Sequence, residues 1–279
     1  LDLSYNWIEN YKANYQSRPN EEKVDSGVEV EKEKLPAVSP NPIQLEALEK
    51  LKATRSEGYA RGLVVMATGT GKTWLSAFDC QATHAKKILF VAHRDEILSQ
   101  SEETFVRIFD NAKIGKYTGT QKDEDVDILF ASIQTLGKQT HIEKFSEDYF
   151  DYIIVDEFHH AGAKTYQRLL AHFSPKFLLG LTATPERTDQ ADILSLCDDN
   201  LVYENGIKEA IDREILCPFH YYGIADTINY QEIAWRNGKF DPEDLSSQLA
   251  TNARAEHNYK YWLEHKQERS LAFCCSIKH

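Results

Sequence analysis

Five short apolar runs separated by helix-like stretches constrain the fold of this chain more than any other feature. Each run is nearly continuous in apolar residues, which is typical of central parallel strands that are buried on both faces. The stretches between them repeat apolar side chains at helical spacing. Strands that alternate with helices predict an α/β fold, a doubly wound parallel sheet with helices on both faces. The runs are Leu63–Met66, Ile88–Val91, Ile128–Ala131, Tyr152–Val155 and Phe177–Leu181.

The segments that precede the runs differ from them in composition. Residues 1–15 space aromatic and apolar side chains three to four positions apart, which predicts an amphipathic helix. Residues 16–35 are charged and poor in large apolar groups, which predicts a linker. Asn41 followed by Pro42 is a helix-start signal. The α/β domain is therefore expected at residues 36–205.

The segments that follow this domain are less regular. Residues 206–268 are expected to connect two domains, and Asp241–Lys266 has a helical pattern within them. Leu271–Cys275 is a further candidate for a buried strand, which would open a second domain at residues 269–279. Because a domain does not end on its first strand, we expect the sequence to be truncated or a fragment.

Composition excludes some classes of protein. No run approaches the roughly 18 apolar residues that a membrane-spanning helix needs. The five cysteines form no C-x-x-C pair, which favours reduced thiols and a cytoplasmic location. The net charge of −12 argues mildly against a nucleic-acid partner, although a local groove can bind nucleic acid on an acidic protein.

A glycine-rich loop, Ala67–Thr73, lies between the first predicted strand and a predicted helix. This is the setting of a phosphate-binding loop, in which backbone N–H groups wrap around phosphate oxygens. Lys72 would reach the terminal phosphates of ATP and the Thr73 hydroxyl would hold Mg²⁺. The strict P-loop pattern fails at its first glycine, which is Met66 here, and a simple glycine turn is the alternative. The candidate nucleotide-binding residues are Thr68, Gly69, Thr70, Gly71, Lys72 and Thr73.

Two adjacent carboxylates, Asp156 and Glu157, directly follow the run Tyr152–Val155. In an open α/β sheet the ligand lies beyond the carboxyl ends of the strands, so both are expected at the same edge as Lys72. Asp156 would hold Mg²⁺ through water, and Glu157 would orient and deprotonate the attacking water. The alternative is a solvated turn at the end of a strand.

Small hydroxyl residues follow another run, in the sequence Leu181-Thr182-Ala183-Thr184-Pro185. Thr182 and Thr184 could bond the Asp156–His159 segment, with His159 as the polar link between them and the nucleotide. A strand end before a proline turn is the alternative. Zinc is disfavoured at His159 and His160, because adjacent residues rarely converge on one ion.

The order of ATGTGKT, DEFH and TAT resembles superfamily 2 helicases and translocases of the DExH type, and this resemblance covers about residues 40–279. It implies a RecA-like fold for the first domain and a truncated second RecA-like domain. Val91–Arg94 and Ala131–Leu136 look like motifs Ia and Ib, Leu271–Ser276 looks like motif IV, and Gln44 looks like the adenine-reading glutamine. The resemblance further implies that Arg94, Ser132, Gln134 and Thr135 contact the nucleic-acid backbone.

A narrower resemblance is carried by DEFHHAGA, LLGLTATPERTD and CPFHYYGI. These segments look like those of bacterial DEAD/DEAH-box proteins with an N-terminal phospholipase-D-like nuclease domain, and of type I and type III restriction-enzyme motor subunits. This implies DNA more than RNA as the substrate and a nuclease domain in the same chain or complex. Residues 1–15 would then be the tail that follows such a domain.

The expected function is ATP hydrolysis coupled to movement on DNA. The arginine finger of the family lies in the second domain, and no residue here matches it, so the chain alone is expected to hydrolyse ATP very slowly and to unwind no duplex. The alternatives are a DExH RNA helicase and a non-motor nucleotide-binding module.

Overall fold

The structure is a computed structural model that describes residues 38–184, 193–225, 228–236 and 238–274. The chain divides into two compact units, Leu1–Ile215 and Leu216–His279. The helix predicted for residues 1–15 and the linker predicted for residues 16–35 lie outside the described residues.

A seven-stranded parallel sheet forms the centre of the first unit, in the order β3-β4-β2-β5-β6-β1-β7. Every residue of β2, β4, β5 and β6 is buried, as expected for strands covered on both faces. The five predicted runs are strands of this sheet, and the α/β fold is confirmed. The strands are β1 (Arg61–Met66), β2 (Ile88–Ala92), β3 (Ile114–Tyr117), β4 (Ile128–Ser132), β5 (Tyr152–Val155), β6 (Phe177–Thr182) and β7 (Leu201–Asn205).

Helices connect these strands and cover the sheet. The predicted start of the first helix is confirmed, because the Asn41 side chain accepts a hydrogen bond from the Gln44 N–H at 2.9 Å and Pro42 is the first helical residue. A short 3₁₀ turn, Phe158–His160, follows β5. The helices are α1 (Pro42–Ser56), α2 (Lys72–Ala82), α3 (Asp95–Val106), α4 (Ile133–Leu136), α5 (Gln139–Ile142), α6 (Lys164–His172) and α7 (Ile207–Asp212).

A buried ion pair fixes α1 and α2 to each other. The Arg55 guanidinium donates two hydrogen bonds, of 2.7 and 2.8 Å, to the carboxylate of Asp79, which is 1% exposed. The Tyr152 hydroxyl donates a third to the same carboxylate at 2.5 Å. Because these donors satisfy the buried charge, the helix that begins at Lys72 is held against both α1 and β5.

The second unit contains a short antiparallel hairpin, β8 (Trp235–Arg236) and β9 (Lys239–Phe240), and two helices, α8 (Pro242–Leu249) and α9 (Asn252–His265). The single helical segment predicted here is therefore interrupted between α8 and α9. Thr251 provides the reason, since its side chain accepts a hydrogen bond from Arg254 N–H and caps the start of α9.

The strand predicted at Leu271–Cys275 is absent from the part that is described, residues 271–274. Leu271 is 81% and Phe273 is 91% exposed. A strand needs a neighbour for its backbone N–H and C=O groups, and the described residues pair no strand with this run.

Among the described residues, none of the helices combines the length and the apolar character that crossing a bilayer requires.

Candidate active site

The glycine-rich loop joins β1 to α2 at the carboxyl edge of the sheet. Gly69 and Gly71 have φ angles of 86° and 87°, in the left-handed region that favours glycine. A Cβ atom on Gly71 would also overlap the side-chain amide of Gln44. The loop geometry therefore favours glycine at position 71, and a larger residue there would be strained and would displace the Gln44 side chain.

Lys72 and Thr73 begin α2, directly after this loop. The Lys72 ammonium donates a hydrogen bond of 3.1 Å to the Met66 carbonyl. Burial lowers the pKa of Lys72, while the charges of Asp156 and Glu157 act in the opposite direction. The lysine is thus held on the loop within electrostatic range of both carboxylates, and Thr73 is half-buried beside it.

Thr68 and Gly69 are exposed on the loop, but Thr70 is buried and its hydroxyl donates a hydrogen bond of 2.7 Å to the Ala67 carbonyl. The Thr70 side chain therefore stabilises the loop conformation. The backbone carbonyl of Thr70 accepts a hydrogen bond of 3.3 Å from the side-chain amide of Asn41.

Gln44 is buried and uses its side chain to join α1 to the loop. Its Nε2 donates to the Gly71 carbonyl at 2.9 Å and to the Thr70 carbonyl at 3.4 Å, and its Oε1 accepts from the Asn41 N–H at 2.9 Å. Gln44 also lines a cavity of about 260 Å³ beside the loop. Adenine recognition by Gln44 stays a prediction, and the structure adds a capping role that the sequence reading did not include. The other cavity-lining residues are Val38, Ser39, Asn41, Gly69, Thr70, Gly71, Trp74 and Phe78.

The two carboxylates lie in different surroundings at the end of β5. Asp156 is 8% exposed, and its N–H donates to the Val91 carbonyl at 2.9 Å. Burial, followed by the charge of Glu157, raises the pKa of Asp156 to about 6, although a hydrogen bond from the Glu157 N–H and the charge of Lys72 oppose this rise. The Glu157 side chain is 30% exposed and can meet water.

Glu157 has a left-handed backbone, with φ 52° and ψ 50°. For a residue with a Cβ atom this conformation costs about 1–3 kcal/mol and persists only where neighbouring groups hold it. His159 is one such neighbour, because its Nδ1 lies 3.2 Å from a Glu157 carboxylate oxygen.

His159 also reaches the end of β6, as predicted. Its Nδ1 lies 3.1 Å from the Thr182 hydroxyl oxygen. That hydroxyl donates to the Thr184 carbonyl at 3.1 Å and accepts from the Thr184 N–H at 3.2 Å. The structure therefore brings His159, Thr182 and Thr184 together with Glu157, while the coupling role assigned to them stays a prediction.

The residues predicted to contact a nucleic-acid strand divide into two groups. Arg94 and Gln134 are exposed at the ends of β2 and β4. Ser132 and Thr135 are 6% and 8% exposed, so their side chains are largely enclosed by the protein. The Ser132 hydroxyl donates to the Gln134 side chain at 2.6 Å, which indicates that it orients that amide.

An open cleft of about 680 Å³ extends from Glu157 to α3 along this edge of the first unit. Arg94 is the only cation with a permanent charge among the described residues that line it. The lining residues are His93, Arg94, Glu96, Ile97, Gln100, Glu157, His159 and His160.

The family "Type III restriction enzyme, res subunit" matches residues 37–187, which is more than half of the 279 residues. The chain belongs to this family. The matched residues include the glycine-rich loop, the carboxylate pair and the residues that line the cleft.

Relatives of this res-subunit chain include helicases and restriction subunits. The putative ATP-dependent helicase IRC3 of Saccharomyces cerevisiae is 31% identical over 248 residues, covering 82% of this chain and 35% of the relative. The type I restriction enzyme EcoAI endonuclease subunit of Escherichia coli is 32% identical over 272 residues, covering 86% of this chain and 33% of the relative. The chain thus spans about a third of the length of these relatives.

A similar solved structure is that of a nuclease-deletion mutant of the type ISP restriction-modification enzyme LlaGI in complex with a DNA substrate mimic. It superposes with a TM-score of 0.52 at 20% identity and covers 64% of this chain and 21% of that one. At this identity the likeness shows the fold alone, which is the α/β fold described above.

The sequence reading missed two residues of the cleft in this res-subunit chain, His93 and His160. The ring of His93 lies edge-on to that of His160, with 5.2 Å between the ring centroids. Both positions belong to motifs that were recognised from sequence. Their contact depends on β2 and β5 being neighbours in the sheet, which sequence order alone does not show.

Proposed function

We propose that this chain is the ATP-binding and ATP-hydrolysing part of a motor that moves on DNA. The observation that carries the proposal is the convergence of Lys72, Asp156 and Glu157 at one edge of a parallel sheet. A cation in a glycine-rich loop, a buried carboxylate and a partly exposed carboxylate are the groups that phosphoryl transfer from ATP to water needs.

The residues present fit a bound Mg²⁺. Asp156 is a buried carboxylate whose charged form is disfavoured by burial and by Glu157, so a dication would offset this cost. The Thr73 hydroxyl is a second oxygen ligand of the kind that Mg²⁺ prefers. Asp156 and Thr73 would hold the ion, which would supply positive charge to offset the negative charge of the phosphates.

Three side chains then have distinct roles in the proposed reaction. Lys72 exchanges its hydrogen bond with the Met66 carbonyl for one with the terminal phosphates, and the N–H groups of the loop contact the phosphate oxygens. Glu157 faces the open cleft, orients a water molecule and accepts its proton. Gln44 lines the cavity beside the loop, where the amino group and ring nitrogen of an adenine would replace the present hydrogen-bond partners of its side-chain amide.

We infer that the motor moves on DNA. The DNA strand would pass Arg94 and Gln134 on the exposed side of the cleft. Both are exposed and offer donors to phosphate oxygens without reading bases, which suits a motor that is indifferent to sequence. DNA is favoured over RNA because the E. coli relative is an endonuclease subunit of a restriction enzyme. The same relationship favours a nuclease domain in the same chain or in a complex with it.

The test is ATP turnover by the full-length protein, measured with single-stranded DNA, duplex DNA and RNA of matched sequence. We expect DNA to stimulate turnover more than RNA. Lys72→Ala should lose most turnover, and Glu157→Gln should lower kcat by about 10²–10⁴-fold, the range typical of a general base.

Lys52→Ala is the matched control, because Lys52 is an exposed lysine on α1 away from the loop. Its turnover should equal that of the unmodified protein. Turnover in Lys72→Ala equal to that of Lys52→Ala would contradict the assignment of the nucleotide site. Stimulation by RNA alone would support an RNA helicase instead.

A further inference from the structure

A chain of side-chain contacts joins the loop after β4 to the end of β2. The Ser132 hydroxyl donates to Gln134 Oε1 at 2.6 Å, and Gln134 Nε2 donates to the His93 carbonyl at 2.7 Å. Gln134 is exposed, so a group that binds to its amide would compete for this second hydrogen bond. A group that binds the Gln134 amide would therefore change the hydrogen bonding of the His93 backbone.

The ring of His93 continues this chain towards the carboxylates. It meets the ring of His160 edge-on, with an interplanar angle of 69° and 5.2 Å between centroids. The ring of His160 in turn lies 4.2 Å, centroid to centroid, from that of His159. Because the two rings are in contact, a shift of the His93 ring changes the packing of the His160 ring.

His160 holds the backbone of Glu157 directly. The His160 N–H donates a hydrogen bond of 2.9 Å to the Glu157 carbonyl. Glu157 needs such support, since its left-handed backbone is strained. A small displacement of His160 would therefore change how firmly the Glu157 carboxylate is held in the cleft.

We propose that His160 is a positioning residue that couples strand binding at Gln134 and Arg94 to the placement of Glu157 through the His93 ring. The proposal rests on the proposed motor function, because it assumes that a bound strand stimulates ATP hydrolysis. The role of the His93 and His160 rings is separate from that of His159, which contacts Glu157 and Thr182 through its own side chain.

The experiment measures ATP turnover by the full-length protein with and without a single-stranded DNA oligonucleotide, over a range of ATP and DNA concentrations. The variants are His160→Ala, His93→Ala, the double variant, and His160→Phe, which keeps a ring at the contact. The readout is the ratio of stimulated to unstimulated turnover. A fold defect that lowers the amount of active protein leaves this ratio unchanged.

We expect His160→Ala to lower the ratio about five- to tenfold, within the range of coupling between sites in proteins. The KM for ATP and the DNA concentration that gives half-stimulation should stay within about twofold of the unmodified values. His93→Ala should have a similar effect, and the double variant should add little to either, because both changes interrupt one path. His160→Phe should recover most of the ratio.

Gln100→Ala is the matched control, since Gln100 lines the same cleft from α3 and lies outside this path. An unchanged ratio in His160→Ala, with normal stimulation of the unmodified protein, would overturn the coupling role alone. A ratio in the double variant equal to the product of two independent losses would also overturn it. An unmodified protein that no strand stimulates would overturn the motor function and the coupling role together.

Discussion

The adjacent carboxylates at the end of β5 lie in two different chemical environments. Asp156 is buried at the strand end, whereas Glu157 turns into a left-handed conformation and is partly exposed to the cleft. Burial and the neighbouring charge raise the pKa of Asp156 to about 6, so the protein without metal holds an unfavourable charge at neutral pH. A bound dication, as proposed for this site, would offset this cost.

Asp156→Asn is therefore expected to stabilise the metal-free protein at high pH. The pKa of Asp156 is raised from 3.8 to about 6, so its ionised form opposes folding above pH 6 and this cost disappears as the pH falls towards 4. This rise in pKa corresponds to a loss of about 3 kcal/mol, as an upper limit, in the free energy of unfolding at high pH. The test compares the Tm of Asp156→Asn with that of the unmodified protein, without Mg²⁺, at pH 8 and at pH 5. The larger gain in Tm is expected at pH 8. An equal gain at both pH values would show that the charge is not the cause.

Sequence reasoning placed the residues of the site at the correct edge of the sheet but could not give their exposure. Lys72 and Asp156 follow strands, and the carboxyl ends of parallel strands share an edge, so their convergence was predictable. Whether Ser132 and Thr135 face solvent depends on the packing of α4, which sequence spacing does not determine. The hydrogen bonds from the Gln44 side chain to the carbonyls of the glycine-rich loop likewise depend on where α1 lies against that loop.

At the scale of elements, β6 and the 3₁₀ turn after β5 fit together through a glycine. A Cβ atom built on Gly180 would lie 2.7 Å from Phe158 Cγ and 3.2 Å from Leu63 Cδ1. Phe158 is fully buried and directly follows Glu157. The absence of a side chain at position 180 therefore lets the turn that carries Glu157 pack onto the sheet.

Gly180→Ala is expected to lower both stability and turnover. The added methyl group must displace Phe158, and such overpacking typically costs about 1–3 kcal/mol. Because Phe158 is covalently joined to Glu157, kcat should fall more than the KM for ATP rises. Urea unfolding and steady-state kinetics measure the two effects. Gly119→Ala is the control, because a Cβ atom there meets nothing within 4 Å, and equal behaviour of the two variants would contradict this account.

The elements that were predicted from sequence are those with strong local signals. The five predicted runs are nearly continuous in apolar residues because both faces of these strands are covered. By contrast, β3 and β7 are only partly buried, with burial alternating in β3, and their short runs gave no clear pattern. The break between α8 and α9 was missed because the apolar spacing continues across it, although Thr251 is a common capping residue.

At the scale of the whole molecule, the net charge of −12 opposes the binding of DNA that we propose. In the proposed path the exposed Arg94 offers one local cation, although Glu96 and Glu157 line the same cleft. Arg94 is the one permanent cation among the described residues that line the cleft, so a single phosphate contact is expected from this lining. Long-range repulsion from the rest of the surface is screened at physiological salt, where the Debye length is about 8 Å.

Arg94→Ala should therefore weaken DNA binding and reduce its dependence on salt. Each phosphate that a protein cation neutralises contributes about one unit to the slope of log K against log salt concentration, because counterions are released. The full-length variant should bind a single-stranded oligonucleotide more weakly at low salt, with a slope smaller by about 1 and a similar loss for unrelated sequences. Fluorescence anisotropy over a range of NaCl concentrations measures both quantities. Arg213→Ala is the matched control, since the charge of Arg213 is already paired with Glu46 at 2.7 Å, and its slope should be unchanged. If the two variants gave the same slope, Arg94 would contact no phosphate, and the strand would have to follow another path across the sheet edge.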